Sequence, residues 1–308
     1  MEDNTTGVLI DEETSPLVDE KPNVPTSETD ELLAFRRLHE GKSKKTYSIY
    51  VQQYKKLICT LGKDFKDVTK EEIKTKVDSI VSTNSRNLMF MICIFCCQIY
   101  GEDDKAKWFV ALRQKEKNAI AKNVRAKNRD LSGNLPDVED VDGYLLTLDS
   151  QNRHKEFIIN FLIHNYFVRN KDLDVKITKN LASAKNHEIN YLVVLRTGIK
   201  FIRNVYKTVQ KHGIQVHTCK DPMLRKHCLK FFLDNKKEDE DLYLLNHHGT
   251  ENIGSEVQRL TYKQLGEGKM FKINVLKNRN DINMIKTMSQ TRGTGIDCLL
   301  ENYDIENT

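Results

Sequence analysis

The 308 residues include 30% charged and 39% apolar side chains, a soluble globular composition with room for two domains. The longest wholly apolar run, Leu88 to Cys97, is far too short to cross a bilayer. Seven Cys without regular spacing, and no basic-then-apolar leader, exclude a disulfide-stapled secreted domain and predict an intracellular protein.

The net charge of +5 conceals an asymmetry, because residues 1–32 hold ten acids against one base, Lys21. That segment is −9 and the other 276 residues carry +14. Residues 1–32 also hold Pro16, Pro22 and Pro25, and they are predicted to be a disordered acidic tail. The basic remainder is what a polyanion-binding body requires, although Lys and Arg also solvate ordinary helix faces.

Residues 33–121 read as a small helical domain. Tyr47, Tyr50, Val51, Tyr54, Leu57, Ile58 and Leu61 recur every three or four positions, which marks an amphipathic helix over 43–62 stopped by Gly62. Thr69-Lys70-Glu71-Glu72 is a capping box and predicts a helix over 70–81. Ser82–Ser85 then reads as a break before an apolar helix over 86–100, and a fourth helix is expected around 104–121. Cys93, Cys96 and Cys97 fall inside the apolar helix, where buried thiols are expected.

Residues 122–135 read as a basic linker. From Arg113 to Arg129 the chain has seven bases and one acid. Lys115, Lys117, Lys122, Arg125, Lys127 and Arg129 could each neutralise a phosphate and release a counterion. The alternative is a solvated helix end and linker.

Residues 136–308 read as a mixed domain, with helices from Pro136 and over 151–166 and short strands at 175–177 and 191–195. Further strand-like residues lead into Tyr206-Lys207-Thr208, and after a turn at 210–213 the chain returns over 214–217. His217, Cys219, His227 and Cys228 match no common zinc spacing. No metal or other cofactor is expected.

Five elements stand in order in this half: Arg169-Asn170-Lys171-Asp172-Leu173, Tyr206-Lys207-Thr208, the pair Lys269 and Lys272, Met288-Ser289-Gln290, and Tyr303. Together they resemble the tyrosine recombinases, or phage-integrase family. The helical half resembles that family's core-binding domain in Thr46–Tyr50, Asp67–Ile73 and Ser85–Asn87. The resemblance implies an α+β, mostly α protein: a helical SAM-like core-binding domain, then a recombinase-type catalytic domain with a small β-sheet. It implies that Tyr303 attacks a DNA phosphodiester, that Arg169 holds the phosphate with Asp172 steadying the turn, and that Lys207, or Lys200 in its place, protonates the departing 5′ oxygen. Lys269 and Lys272 stand where the family has His and Arg, and Lys272 lies 31 residues before Tyr303. Gln290 takes the place of a further His or Trp, although spacing back from Tyr303 selects Thr294. The partner implied is duplex DNA, with self-association on it, no membrane and no small-molecule substrate; a viral or mobile-element recombinase is expected, in the nucleus or cytoplasm, wherever its DNA resides. The altered positions leave a second reading open, a recombinase-derived DNA-binding or architectural protein without catalysis.

Overall fold

The structure, a computed structural model, describes residues 30–38, 44–132, 134–250 and 252–303. The expected acidic tail lies outside them, except that Asp30–Leu32 open a helix. The described residues are mostly α-helical with one four-stranded sheet, an α+β fold. The chain divides into two compact units, Met1–Ala119 and Ile120–Thr308.

The first unit is helical: α1 (Asp30–Leu38), α2 (Lys44–Leu61), α3 (Lys70–Asp78), α4 (Thr83–Tyr100) and the opening turns of α5 (Asp103–Ser132). α2 stops at Gly62, whose φ of +67° costs a Cβ-free residue little. The Thr69 capping box forms as expected: Glu72 N donates to Thr69 Oγ1 (3.2 Å) and Thr69 N donates to Glu72 Oε2 (3.0 Å). α4 starts at Thr83 rather than 86. The Ser/Thr run is a cap and not a break, since the Ser82 hydroxyl accepts from Ser85 N at 3.3 Å. α4 is the spine of this core, packing Met89, Phe90 and Ile92 against Phe35, Leu57 and Phe109. Burial pushes the Cys93 thiol well up and Cys97 to about 12. Thiols are reactive as thiolates, so this CxxC is packing material.

The expected linker over 122–135 is largely helix, because α5 continues to Ser132. Lys, Arg and Ala are good helix formers, and no Gly or Pro interrupts them before Gly133. Next come α6 (Val138–Ser150), capped by Asp137, and α7 (His154–Tyr166). The sheet comprises β1 (Val175–Thr178), β2 (Asn190–Leu195), β3 (Gly198–Arg203) and, after the short α8 (Val209–His212), β4 (Gln215–Cys219). Their spatial order is β1-β2-β3-β4, with β1 parallel to β2 and the remaining pairs antiparallel. α9 (Pro222–Asn235), α10 (Ile253–Leu260), α11 (Gly266–Asn278), α12 (Ile282–Arg292) and α13 (Ile296–Tyr303) complete the unit. α7 is its centre: Phe157, Ile158 and Leu162 join Ile177, Leu192 and Ile199 of the sheet in one core. Among the described residues no helix is long and apolar enough to cross a membrane.

Four histidines of this unit are poised to make it acid-sensitive. Burial is the first cause of a lowered pKa at His154, His164, His217 and His227. The Nδ1 atoms of His154 and His227 face each other at 2.8 Å, which disfavours charging both rings. The fold therefore makes these rings harder to protonate, although Asp142 beside His164 and Asp149 beside His227 act the other way, while in the unfolded chain they titrate near pH 6.5. As pH falls below that value the unfolded chain takes up protons that the fold refuses, and stability drops. The urea midpoint should fall between about pH 7.5 and about pH 5.5; equal midpoints would refute this account.

Candidate active site

α7 is capped by Phe167, which takes a left-handed backbone (φ +52°) and turns the chain sharply. Such a conformation persists in a non-glycine residue only when its surroundings hold it. Here Phe271 meets the Phe167 ring edge-on at 6.1 Å, and Arg292 Nη1 donates to the Phe167 carbonyl at 3.3 Å. Arg169 follows at the head of a single 3₁₀ turn, Asn170–Leu173. The buried Asp172 carboxylate accepts from Arg169 N at 2.9 Å, closing that turn. It also accepts from Arg203 Nη2 at 2.6 Å.

The Arg169 guanidinium is half-buried. Its Nη2 donates to Thr294 Oγ1 at 2.7 Å, and its Nη1 is buried without a partner. Burial is the main cause that lowers its pKa, and the nearby Arg292 cation acts the same way; Asp172, Tyr303 and Glu267 oppose them. An unsatisfied cationic N–H beside a second guanidinium favours an anion.

Arg292 closes α12 and is 2% exposed. It pairs with Glu267 Oε1 at 2.5 Å, and its Nη2 donates to the Tyr303 hydroxyl at 3.2 Å. Its guanidinium lies 3.9 Å from the centre of the Phe271 ring and 5.1 Å from that of Tyr303. The Tyr303 ring meets Phe271 edge-on at 4.8 Å. Tyr303, Arg292, Arg169 and Thr294 are thus one connected group, and Asp172 and Arg203 stand behind it.

Helical phase separates the lysine pair from this group. On α11, Glu267 and Phe271 lie four residues apart on one face and point at Arg292. Lys272 is turned about 100° from Phe271, and its ammonium donates to Asn128 Oδ1 of α5 at 2.5 Å. Burial lowers the Lys272 pKa, and Lys269 adds to the effect. Lys269 itself is exposed.

Lys207 is exposed in the turn between β3 and α8, whereas the strands expected to flank it end at Arg203 and resume at Gln215. Lys200 lies on β3 opposite Val193 and Thr218. The Lys207 turn still abuts the site: a Cβ on Gly293 (φ +60°) would stand 1.7 Å from Thr208 Oγ1. Gln290 is exposed, and its carbonyl accepts from Gln215 Nε2 at 3.4 Å. Of the two positions offered near the end, Thr294 is the one that touches Arg169. Among the basic residues of α5, Lys115, Lys117, Lys122, Arg125 and Lys127 are exposed, while the Arg129 side chain lies outside the described residues.

Arg203, Arg292 and Glu267 were not singled out by the sequence. Arg292 stands just before Gly293 at a helix end, where a cation reads as a partner for the helix dipole. Arg203 did leave a signal, since Ile199, Phe201 and Arg203 alternate along β3 and put a charge on the inward face. Among the described residues no group of three or more His, Cys, Asp or Glu side chains is placed to hold a metal ion. The four zinc candidates are dispersed in role: His227 Nε2 pairs with Asp149 at 2.8 Å, and Cys228 is a fully buried thiol.

No family model matches the chain, and no curated protein matches it significantly. Among solved structures it is similar to XerA recombinase, with 13% identity, 89% of this chain and 93% of that chain covered, and a TM-score of 0.35. No residue's role follows from so distant a likeness.

Proposed function

We propose that the chain binds duplex DNA and that its second unit is a tyrosine-recombinase-type phosphodiester site. The observation that carries this reading is the pairing of Tyr303 with Arg292 at 3.2 Å beside Arg169, whose Nη1 has no partner. A phenol with a pKa near 10 is a weak nucleophile unless cations stabilise its oxyanion and the charge gathering on phosphorus. Arg292 supplies the first service and Arg169 the second. In the step proposed, the Tyr303 oxygen forms a bond to phosphorus as the bond to the 5′ oxygen breaks. The phenolic proton is lost to solvent, and Lys207, from the turn against Gly293, protonates the leaving oxygen. The exposed bases of α5 contact the DNA backbone and make binding salt-dependent.

A second reading is favoured by a different observation. Arg292 is already neutralised by Glu267, and Lys269 and Lys272 lie on another face of α11. A site so arranged could bind the DNA backbone without cutting it. Incubation with nicked suicide duplexes, read on a denaturing gel, separates the two. A covalent adduct that Tyr303→Phe eliminates supports strand cleavage. Salt-sensitive duplex binding with no adduct on any nicked substrate leaves the non-catalytic reading, and no duplex binding at low salt defeats both.

A further inference from the structure

Arg203 is fully buried and binds three segments at once. Its Nη2 donates to Asp172 at 2.6 Å, and its Nη1 donates to Gln215 Oε1 at 2.6 Å and to the Thr291 carbonyl at 2.8 Å. Its guanidinium also lies 4.6 Å from the centre of the Tyr206 ring. Asp172 in turn holds the backbone N–H of Arg169, and Thr291 directly precedes Arg292, Gly293 and Thr294. One buried cation therefore ties the Arg169 turn to the segment that supplies Arg292 and Thr294, and through Gln215 to β4.

Stability alone does not explain an ion pair so placed. Removing a guanidinium and a carboxylate from water is costly, and a packed apolar pair of similar volume often does as well. The accounting of partners points to a ligand. Three guanidiniums, Arg169, Arg203 and Arg292, face two carboxylates, Asp172 and Glu267, so the cluster holds one positive charge in excess. The cluster's buried atoms without a hydrogen-bond partner are Arg169 Nη1, Arg203 Nε and Arg292 Nε, together with Glu267 Oε1. Of the nitrogens only Arg169 Nη1 is on a side chain a ligand could reach, since Arg203 and Arg292 are 0% and 2% exposed. Buried N–H groups are rarely left unmet.

We infer that Arg203 is a positioning residue for a phosphate group: it holds the Arg169 turn and the Thr291–Thr294 segment in register, so that Arg169 meets the anion at a fixed place. This rests on reading the cluster as a phosphate site, but not on whether Tyr303 cuts DNA. Lys cannot replace Arg203, since an ammonium on a flexible stem does not span acceptors in two directions as the planar fork does.

The test titrates the full chain with inorganic phosphate and follows the Arg169 side-chain N–H resonance by NMR. In the parent that resonance should shift and saturate, and in Arg169→Ala the assigned signal disappears. Arg203→Lys should raise the phosphate midpoint roughly tenfold or more, as expected for a weakened charge-assisted hydrogen bond. Leu148→Ala, a buried core substitution on α6 that touches none of these bonds, destabilises the unit and should leave the midpoint unchanged. This contrast separates positioning from mere loss of stability. If Arg203→Lys does not fold, Asp172→Asn tests the same joint: it keeps an oxygen for Arg169 N but removes the charge that holds Arg203, and the midpoint should again rise. A parent that does not respond to phosphate overturns the inference. So does an unchanged midpoint in whichever of the two variants folds. The denaturing-gel assay for adducts is independent, so a chain that takes up phosphate and never cleaves DNA would sink the strand-cleavage reading while leaving Arg203 in its role.

Discussion

Arg292→Met is expected to lower the stability of the second unit by about 3–5 kcal/mol, the usual result of removing one member of a buried ion pair. Arg292 and Glu267 have side chains 3% and 12% exposed, so solvent screens the pair little. Met matches much of the volume and keeps contact with Phe271, which isolates the electrostatic part. It leaves Glu267 as a poorly solvated carboxylate, the Phe167 carbonyl without a donor and the Tyr303 hydroxyl without its partner. Urea unfolding measures the effect, and a double-mutant cycle identifies its cause. Glu267→Gln on the Arg292→Met background removes the stranded charge and should restore part of the loss, because the two sites are in contact. A cost below about 1 kcal/mol would place the pair with solvated surface bridges. It would also leave the Phe271 ring contact as the support for the left-handed turn at Phe167.

The fold was legible where local chemistry decides it. Gly62, the Thr69–Glu72 box and the apolar spacing of α2 are short-range signals, and each element formed on them. Ser82–Ser85 was harder, since the same residue types make breaks and N-caps; only the Ser82–Ser85 hydrogen bond distinguishes them. The charge run after Arg113 misleads for a related reason. Basic residues suit a solvated linker and a solvated helix equally, and α5 settles the matter by continuing to Ser132.

The site was legible along the chain but not across it. Arg169 and Asp172 form a local turn, and their three-residue spacing carries that geometry. Arg203 and Arg292 meet that turn from 34 and 123 residues away, and no spacing rule links them. Lys272 had the expected interval to Tyr303, yet an interval fixes distance along the chain and not rotation about α11. That rotation is set by Phe271, Val275 and Ile285 sharing a small core with Leu299, which commits the Glu267–Phe271 face to Arg292.

Arg169→Ala is expected to slow covalent adduct formation on nicked duplexes by about a hundred- to a thousandfold, the usual cost of losing one preorganised donor to a developing charge. On the reading proposed above, duplex affinity should change little, because the exposed bases of α5 would carry the backbone contacts while Arg169 is half-buried. The two readouts therefore separate: single-turnover gels report the rate, and salt-dependent binding reports the affinity. Thr294→Val refines the argument. It removes only the oxygen that accepts from Arg169 Nη2, so the cation stays while its aim loosens, and a smaller loss of roughly tenfold is expected. Equal rates for Arg169→Ala and the parent would mean that the unpartnered Nη1 does not face the reacting phosphate. The charge on that phosphate would then rest on Arg292 alone, whose Nη1 is already paired with Glu267. A guanidinium so committed could not by itself offset the charge that builds on two non-bridging oxygens, so the chemistry would have to reside elsewhere in the molecule.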